Sequence, residues 1–240
     1  MKSIDSFLKR ITNKKLLVVF PHPDDESVMA GGIIQRAMKL GFEVTVLTLT
    51  EGDRGKIFVN GKGRSSSEIR RQEMALAMSR LGVADWVMWK FDDGRLRGTY
   101  KWRDRLSTFI NDTVPGVVIS YDLSGVSGHP DHIVTALEVR KATRKMNDTK
   151  LVWVSFAGKM KDVVVENNVV KYLQSPSHLL ELSLIESITK WRTAFTHRSQ
   201  NLRTFVRYPW WYLSFFARQE WYFVPANEVI YKYKHVKFDI

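Results

Sequence analysis

The 240-residue sequence predicts a single α/β domain of Rossmann-like, three-layer type, in which helices cover both faces of a mostly parallel sheet. Two observations lead to this prediction. Short runs of β-branched and apolar residues alternate with longer segments of helical period through about residue 156, as in successive βαβ units. Clusters of polar residues follow the first and fourth of these runs directly, where ligand sites of such sheets are found.

The predicted strands are short apolar runs bounded by polar or glycine residues. In chain order they are residues 15–20 (KLLVVF), 43–50 (EVTVLTLT), 85–91 (DWVMWKF), 116–122 (GVVISYD) and 151–156 (LVWVSF). Helices are predicted between them at 26–41, 67–82, 101–113 and 130–146. Gly41 and Gly82 are expected to end the first two helices, because glycine is favoured just after a helix C-terminus.

The chain after residue 156 is predicted to continue as a hairpin, a helix and an aromatic segment. The hairpin covers residues 162–174, with Asn167 and Asn168 at its turn, and the helix lies around 177–198. One domain is expected to span 1–240, with its core at about 15–200 and an aromatic extension at about 201–240. The aromatic residues of 207–223 are expected to close the core, with peripheral contact to a membrane interface as the alternative.

The composition limits the chemistry that the chain can carry. It has no cysteine, which excludes disulfides, thiolate metal sites and cysteine nucleophiles and leaves His, Asp and Glu as metal ligands. The formal charge of +12 suggests an acidic substrate, an anionic membrane surface or nucleic acid, although a solvated basic surface explains it equally well. Without a signal-peptide pattern or a long apolar span, a soluble cytoplasmic protein is expected.

Two similar motifs follow the first and fourth predicted strands: PHPDDE at residues 21–26 and GHPDH at 128–132. Each contains His-Pro-Asp, which favours a tight turn into a helix N-terminus and could serve only as a helix cap. Caps do not need histidine, however, and two imidazoles with one carboxylate form a catalytic zinc site that leaves room for water. Asp24 is placed to accept the proton of that water, and a spare histidine could stabilise an oxyanion.

These motifs resemble those of the LmbE-like, PIG-L family of zinc-dependent N-acetylglucosaminyl deacetylases. Further agreement, in family order, is found in LTLTEGDRG (47–55), RRQEMALAMSRLGV (70–83), DDGRL (92–96) and KWRTAFTHRSQ (190–200). The resemblance covers about residues 15–200 and implies a hydrolase that removes the acetyl group of an N-acetylated amino sugar. It does not name the substrate, which could be a small molecule or lipid-linked, and the basic charge favours an anionic one.

The resemblance implies a role for every polar residue of the two motifs except Glu26. The implied zinc ligands are His22, Asp25 and His132. Asp24 would be the general base for the attacking water, and His129 would stabilise the tetrahedral intermediate and could also act as an acid. Asp131 would orient one of the imidazoles.

Two further residues are implied to contact the substrate. Arg70 matches a substrate-contacting arginine of the family, with a helix-surface charge paired with Glu73 as the alternative. Asp93, or Asp92 one position earlier, falls where the family places a substrate-contacting carboxylate. The sequence does not fix that register.

Two other functions share parts of this pattern. A non-haem iron enzyme uses the same two-histidine, one-carboxylate ligand set, and iron(II) suits the same hydrolytic site as well. A basic binding module for anionic membrane or nucleic acid, with a non-catalytic metal turn, would explain the charge. Because Asp24 lies beside the ligands, the hydrolase is preferred and no nucleic acid is expected as a partner.

Overall fold

A computed structural model describes residues 1–157, 172–202 and 208–225 of the chain. The predicted hairpin turn at Asn167 and Asn168 lies outside these residues, as does His235. In the described part no helix is long and apolar enough to cross a membrane.

The described residues form eight strands and seven α-helices. The strands are β1 Lys2–Ser3, β2 Lys15–Phe20, β3 Glu43–Thr50, β4 Asp85–Phe91, β5 Val117–Tyr121, β6 Lys150–Ser155, β7 His178–Glu181 and β8 Gln219–Phe223. The helices are α1 Ile4–Arg10, α2 Asp25–Lys39, α3 Ser66–Leu81, α4 Lys101–Thr113, α5 Pro130–Thr143, α6 Leu184–Ala194 and α7 Trp210–Phe216. Short 3₁₀ turns occupy Leu96–Gly98 and Arg198–Gln200. The α/β prediction is confirmed, and each of the five predicted strands is present with bounds that differ by no more than one residue.

All eight strands belong to one sheet, in the order β1-β7-β8-β6-β5-β2-β3-β4. The pairs on either side of β2 are parallel, and β8 runs antiparallel to both β6 and β7. The chain leaves β2 through α2 towards β3 but leaves β5 through α5 towards β6, so the strand order reverses between β2 and β5. In open α/β sheets ligands bind beyond the carboxyl ends of the strands at such a reversal point.

The helices cover both faces of the sheet because the central strands are apolar on both sides. In β2, Leu16, Val18 and Phe20 join one core cluster, which includes residues of α2 and α3. The alternate residues Leu17 and Val19 join a second cluster with residues of α4 and α5. A strand that is buried on both faces reads as a continuous apolar run, which explains why KLLVVF was recognisable in the sequence.

The C-terminal part departs from the prediction in one respect. The helix expected around 177–198 begins only at Leu184, because residues 178–181 form β7 and pair with β8. His178, which belongs to neither His-Pro-Asp motif, is therefore buried within a strand. The aromatic segment contributes β8 to the sheet, with Tyr222 fully buried, so part of it closes the core as expected.

Candidate metal centre and active site

The loop after β2 turns sharply into α2 and carries the first motif. Asp24, the residue before the helix, has a φ of 117°, a conformation that non-glycine residues rarely adopt. Its carbonyl oxygen accepts hydrogen bonds from the backbone N–H groups of Ser27 and Val28, and its own N–H donates to Glu26 Oε2 at 3.0 Å. These bonds hold the strained backbone, and strain of this kind clusters at functional sites.

The loop after β5 carries the second motif and is held by its own hydrogen bonds. The Asp122 carboxylate accepts from the Ser124 backbone N–H at 3.1 Å, and Gly125 has a positive φ of 64°. A Cβ at Gly125 would lie 2.8 Å from the Cβ of His132, so only glycine fits this close approach. The turn ends at His129, whose Nδ1 accepts the backbone N–H of Asp131 at 3.2 Å as the N-cap of α5.

The two loops bring three potential metal ligands together although 110 residues separate the histidines. His22 Nδ1 lies 3.1 Å from His132 Nε2 and 3.7 Å from Asp25 Oδ2. His132 Nε2 lies 3.9 Å from the same oxygen of Asp25. A tetrahedral ion with bonds of about 2.0–2.2 Å holds its ligand atoms roughly 3.4 Å apart, so these separations fit a Zn²⁺-sized ion.

The neighbours of these three side chains also suit metal binding. His132 Nδ1 lies 3.0 Å from the carbonyl oxygen of Gly125, so it carries the proton and leaves the Nε2 lone pair for an ion. The Tyr121 hydroxyl donates to Asp25 Oδ1, and the Tyr121 ring stacks on His132 at 4.2 Å. Tyr121 thereby fixes two of the candidate ligands.

Other groupings of the described residues also place ligand atoms within 4.8 Å of one another, namely His22, His129 and His132, and His22, Asp93 and Asp131. In the first grouping His129 could contribute only Nε2, because its Nδ1 accepts the Asp131 backbone N–H, and Asp25 Oδ2 of the preferred set itself accepts the His22 backbone N–H at 3.1 Å. Asp131 accepts the backbone N–H groups of Gly94 and Leu96 at 2.7 and 3.1 Å. Its Oδ2 lies 3.4 Å from His22 Nε2, so Asp131 orients His22 and also holds the loop after β4.

Asp93 rather than Asp92 faces the site. Asp93 is buried, its Oδ1 lies 3.1 Å from His22 Nε2, and its Oδ2 accepts the Arg54 backbone N–H at 3.0 Å, whereas Asp92 is exposed. Burial raises the pKa of Asp93, but the hydrogen bond and charge of His22 outweigh it and lower that pKa to about 2. The carboxylate therefore stays ionised beside His22.

The acidic surroundings raise the pKa values of both His22 and Asp24, and a bound cation would displace the proton from His22 Nδ1. Burial lowers the pKa of His22, but hydrogen bonds to Asp131 and Asp93 raise it to about 10. Burial and the charge of Asp25 raise the pKa of Asp24 to about 7, against the opposing effect of His197. Among the described residues no donor engages the Asp24 carboxylate, so it is free to accept a proton from a bound water.

Arg70 lies close enough to the site for the charges of Asp24 and Asp93 to act on it. Its guanidinium is buried, donates to Gln200 Oε1 at 2.6 Å and packs against Gly52, where any side chain would collide with it. The alternative of a surface charge paired with Glu73 is wrong, because Glu73 accepts instead from the backbone N–H and hydroxyl of Ser199. Burial lowers the pKa of Arg70, while the charges of Asp24 and Asp93 oppose that shift.

Sequence reasoning missed two features of the site. Tyr121, the last residue of β5, was read only as part of a strand, and no local pattern marks its contact with Asp25. Glu26 was read as part of a charge cluster, yet it is fully buried and its Oε1 lies 3.1 Å from His197 Nε2. His197 drew notice only through the family resemblance, because nothing in the sequence shows that α6 brings it to α2.

The fold and the site define an α/β protein with a candidate metal centre at the reversal point of its sheet. The family model PIG-L, described as GlcNAc-PI de-N-acetylase, matches residues 17–143. That match covers more than half of the chain, and the chain therefore belongs to the PIG-L family. The resemblance read from the paired His-Pro-Asp motifs is confirmed.

Individual relatives are similar over part of their length. A 1D-myo-inositol 2-acetamido-2-deoxy-alpha-D-glucopyranoside deacetylase of Geodermatophilus obscurus is 33% identical over 146 residues, which cover 50% of this chain and 50% of that protein. A second deacetylase of the same name, from Mycobacteroides abscessus, is 30% identical over 184 residues, or 61% of this chain and 62% of that one. The chain thus spans about half to three fifths of the length of these relatives.

Solved structures show the same fold. The N,N'-diacetylchitobiose deacetylase of Pyrococcus horikoshii superposes with a TM-score of 0.69 at 18% identity, covering 93% of this chain and 89% of that chain. The 4-carboxy-2-hydroxymuconate hydratase of Pseudomonas putida superposes with a TM-score of 0.61 at 20% identity, covering 81% and 83%. Since a deacetylase and a hydratase share this fold, the reaction of the present chain has to be argued from its site.

Proposed function

We propose that the protein is a zinc-dependent hydrolase that removes the acetyl group from an N-acetylated amino sugar. The observation that carries this proposal is the convergence of three ligand atoms beside a carboxylate that no donor engages. His22, Asp25 and His132 would hold the ion, and Asp24 would act as the base. A bound Zn²⁺ would polarise the acetyl carbonyl and lower the pKa of a water molecule.

The residues of the chain divide the proton transfers between them. Asp24 accepts a proton from the attacking water as its oxygen adds to the acetyl carbon, and its pKa near 7 suits that task. His129 accepts a backbone N–H at Nδ1, so its neutral form carries the proton on Nε2 and can donate to the developing oxyanion. The oxyanion then re-forms the C=O bond as the C–N bond breaks, and Asp24 returns the proton it accepted to the leaving nitrogen, giving the free amine and acetic acid, which ionises to acetate.

Substrate positioning is assigned to Arg70 and Asp93. The Arg70 guanidinium is fixed by Gln200 and feels the charges of Asp24 and Asp93, so it would lie beside the substrate and contact one of its oxygens. Asp93 would accept a hydroxyl of the sugar as well as supporting His22. The named activities of the relatives support an amino sugar, while the basic charge favours an anionic conjugate, either a small molecule or lipid-linked.

Two properties expected from the sequence stay predictions beside this function. All the described strands lie in one sheet, which supports the assignment of 1–240 as a single domain. The cytoplasmic placement likewise rests on the sequence.

The test is acetate release from a panel of anionic and neutral N-acetylglucosamine conjugates by zinc-loaded and iron(II)-loaded protein. Chelator is expected to abolish release, and Asp24→Asn is expected to lower kcat by about 10²- to 10⁴-fold because it removes the proton acceptor. Asp53→Asn, an exposed carboxylate in the loop after β3, is the matched control and should retain activity.

Three outcomes decide the proposal. Release that survives the chelator would overturn the metal role, and unchanged release by folded Asp24→Asn protein would overturn the base assignment. No release from any conjugate by protein with stoichiometric metal would overturn the deacetylase function. Water addition to an unsaturated carboxylate, the reaction of the structurally similar hydratase, would then be the next function to test.

A further inference from the structure

Helix α7 has two unlike faces. Its inner face packs on α6: Leu213 is buried against Trp191, and Trp191 Nε1 donates to the Ala217 carbonyl oxygen at 3.0 Å. Its outer face carries Trp211 and Phe215, each more than half exposed. The helix sequence WWYLSFF contains no charged residue, whereas a helix at a protein surface ordinarily turns a polar face to water.

The outer aromatic residues form one continuous surface. Tyr212 and Phe216 are four residues apart and lie along one face of the helix, and Tyr208 precedes the helix and stacks on Tyr212. Their rings contact one another at 4.6 and 4.4 Å between centroids, and the Trp211 ring lies 6.2 Å from that of Tyr212. Tyr208 and Phe216 are each more than half exposed. A contiguous apolar surface of this kind marks an interaction site rather than scattered surface residues.

A group of cationic side chains lies near the start of α7, where Trp210 precedes the exposed Trp211. The Arg192 guanidinium lies 5.8 Å from the centre of the Trp210 ring, at the start of α7. Arg80 donates to the Arg192 carbonyl oxygen at 2.9 Å, and burial, followed by the charges of Arg192 and Arg198, lowers its pKa. All three arginines are exposed, and within the described part of the chain none has a carboxylate at salt-bridge distance, so we expect their charge to face an anionic partner.

The charge distribution favours one occupant over the others. A second copy of the chain packed face to face about a twofold axis would bring these arginines towards those of its partner and create repulsion. A single-stranded nucleic acid needs rings splayed for stacking with bases, whereas Tyr208, Tyr212 and Phe216 already stack on one another. A bilayer accepts a convex row of rings at its interface, and anionic headgroups neutralise the neighbouring arginines.

We propose that the outer face of α7 and the cluster of Arg80, Arg192 and Arg198 form a peripheral docking surface for an anionic lipid bilayer. The surface adjoins the candidate active site, because Arg198 lies between His197, which contacts Glu26, and Gln200, which contacts Arg70. Docking there would hold the mouth of the site near the membrane. The proposal does not depend on the reaction that the site catalyses.

The experiment is co-sedimentation of the full chain with vesicles of phosphatidylcholine alone and of phosphatidylcholine mixed with phosphatidylglycerol. Binding is expected to the mixed vesicles and to weaken as salt is added, because the arginine contribution is screened. The double variant Trp211→Ser/Phe215→Ser should bind at least about 100-fold more weakly, since two rings no longer enter the interface. Tyr100→Ser is the matched control, because Tyr100 is also an exposed aromatic beside an arginine but lies at the start of α4.

A second pair of variants separates the electrostatic contribution. Arg192→Gln/Arg198→Gln should weaken binding to mixed vesicles by about 10- to 30-fold, from about 1 kcal/mol for each lost charge. Arg144→Gln/Lys145→Gln removes two exposed charges at the end of α5 and should leave binding unchanged.

The following outcomes overturn the proposal: no binding to mixed vesicles, equal binding to both vesicle types, or equal loss in the control variants. Thermal unfolding and bound metal, unchanged in every variant, show that the loss does not come from misfolding. Sedimentation without lipid provides a further check, since a dimer that Trp211→Ser/Phe215→Ser dissociates would assign the surface to a second copy. Binding of single-stranded DNA in preference to vesicles would assign it to nucleic acid.

Discussion

Two histidine–carboxylate pairs lie within the same site and have different surroundings. His22 Nε2 is 3.1 Å from Asp93, and its side chain is 13% exposed, whereas His197 Nε2 is 3.1 Å from Glu26 and both of these side chains are fully enclosed. The other nitrogen of His22 faces two further ligand atoms, while His197 Nδ1 has no hydrogen-bond partner among the described residues. A histidine beside a carboxylate is thus open to a further partner in one pair and enclosed in the other, according to what its second ring nitrogen faces.

The enclosed pair, Glu26 and His197, contacts the loop that carries His22 through the backbone of Asp24. Glu26 accepts the Asp24 N–H, and the same carboxylate is held by His197 and by the Ser27 hydroxyl. Burial raises the pKa of Glu26, but the charge and hydrogen bond of His197 outweigh it, so this carboxyl is ionised. An ionised, fully buried acceptor stabilises the strained φ of Asp24, which aims the proposed base.

We predict the largest effect on metal content and activity for His132, a proposed metal ligand that lies beside His22. His132→Asn should no longer bind metal stoichiometrically, and its acetate release should fall by more than about 100-fold. Loss of a residue that only hydrogen-bonds to a ligand typically costs about 10- to 100-fold, and loss of the ligand itself should cost more. Metal content after dialysis and the release rate measure these effects. The control is His178→Asn, which changes a buried histidine in β7 that is not a proposed ligand, and this variant should keep its metal. Full metal occupancy in His132→Asn would remove His132 from the ligand set.

A smaller effect is predicted for the enclosed pair, on the stability of the fold. Glu26→Gln removes the charge opposite His197 and should lower the free energy of unfolding by about 2–3 kcal/mol, as measured by urea denaturation. Folded Glu26→Gln protein should still bind metal, because none of the proposed ligands has changed. Glu43→Gln, an exposed carboxylate at the start of β3, should cost less than about 0.5 kcal/mol. A loss in Glu26→Gln no greater than in Glu43→Gln would contradict the supporting role.

The fold and the outline of the site were predictable because their signals are local. Strands such as β2 are continuous apolar runs, and the two His-Pro-Asp turns repeat one pattern at two strand ends. The convergence of these turns followed from the parallel sheet, since the carboxyl ends of β2 and β5 share one edge. The metal, catalytic and substrate roles of the individual residues stay predictions.

The remaining features depend on contacts between distant parts of the chain. The contact of Tyr121 with Asp25 spans 96 positions, and that of Glu26 with His197 spans 171. Strand β8 lies between β6 and β7 and pairs with residues that are far from it in sequence. Strand β7, at residues 178–181, is too short to carry a strand signal of its own. Neither periodicity nor capping residues report such pairings, so the helix predicted around 177–198 began too early.

The smallest effect on activity is predicted for Asp93. The sequence did not decide whether Asp92 or Asp93 faces the site, and the two residues therefore provide a matched pair one position apart. Asp93→Asn weakens the support of His22 and removes an acceptor for the substrate, so kcat/KM should fall by about 10- to 100-fold. Asp92→Asn changes an exposed carboxylate of the same loop and should leave kcat/KM unchanged. Metal titration separates the two contributions of Asp93: weaker metal affinity reports the support of His22, whereas unchanged affinity with a raised KM reports contact with the substrate. Equal kinetics in the two variants would mean that Asp93 contributes to neither, and His22 would then be oriented by Asp131 alone among the described carboxylates.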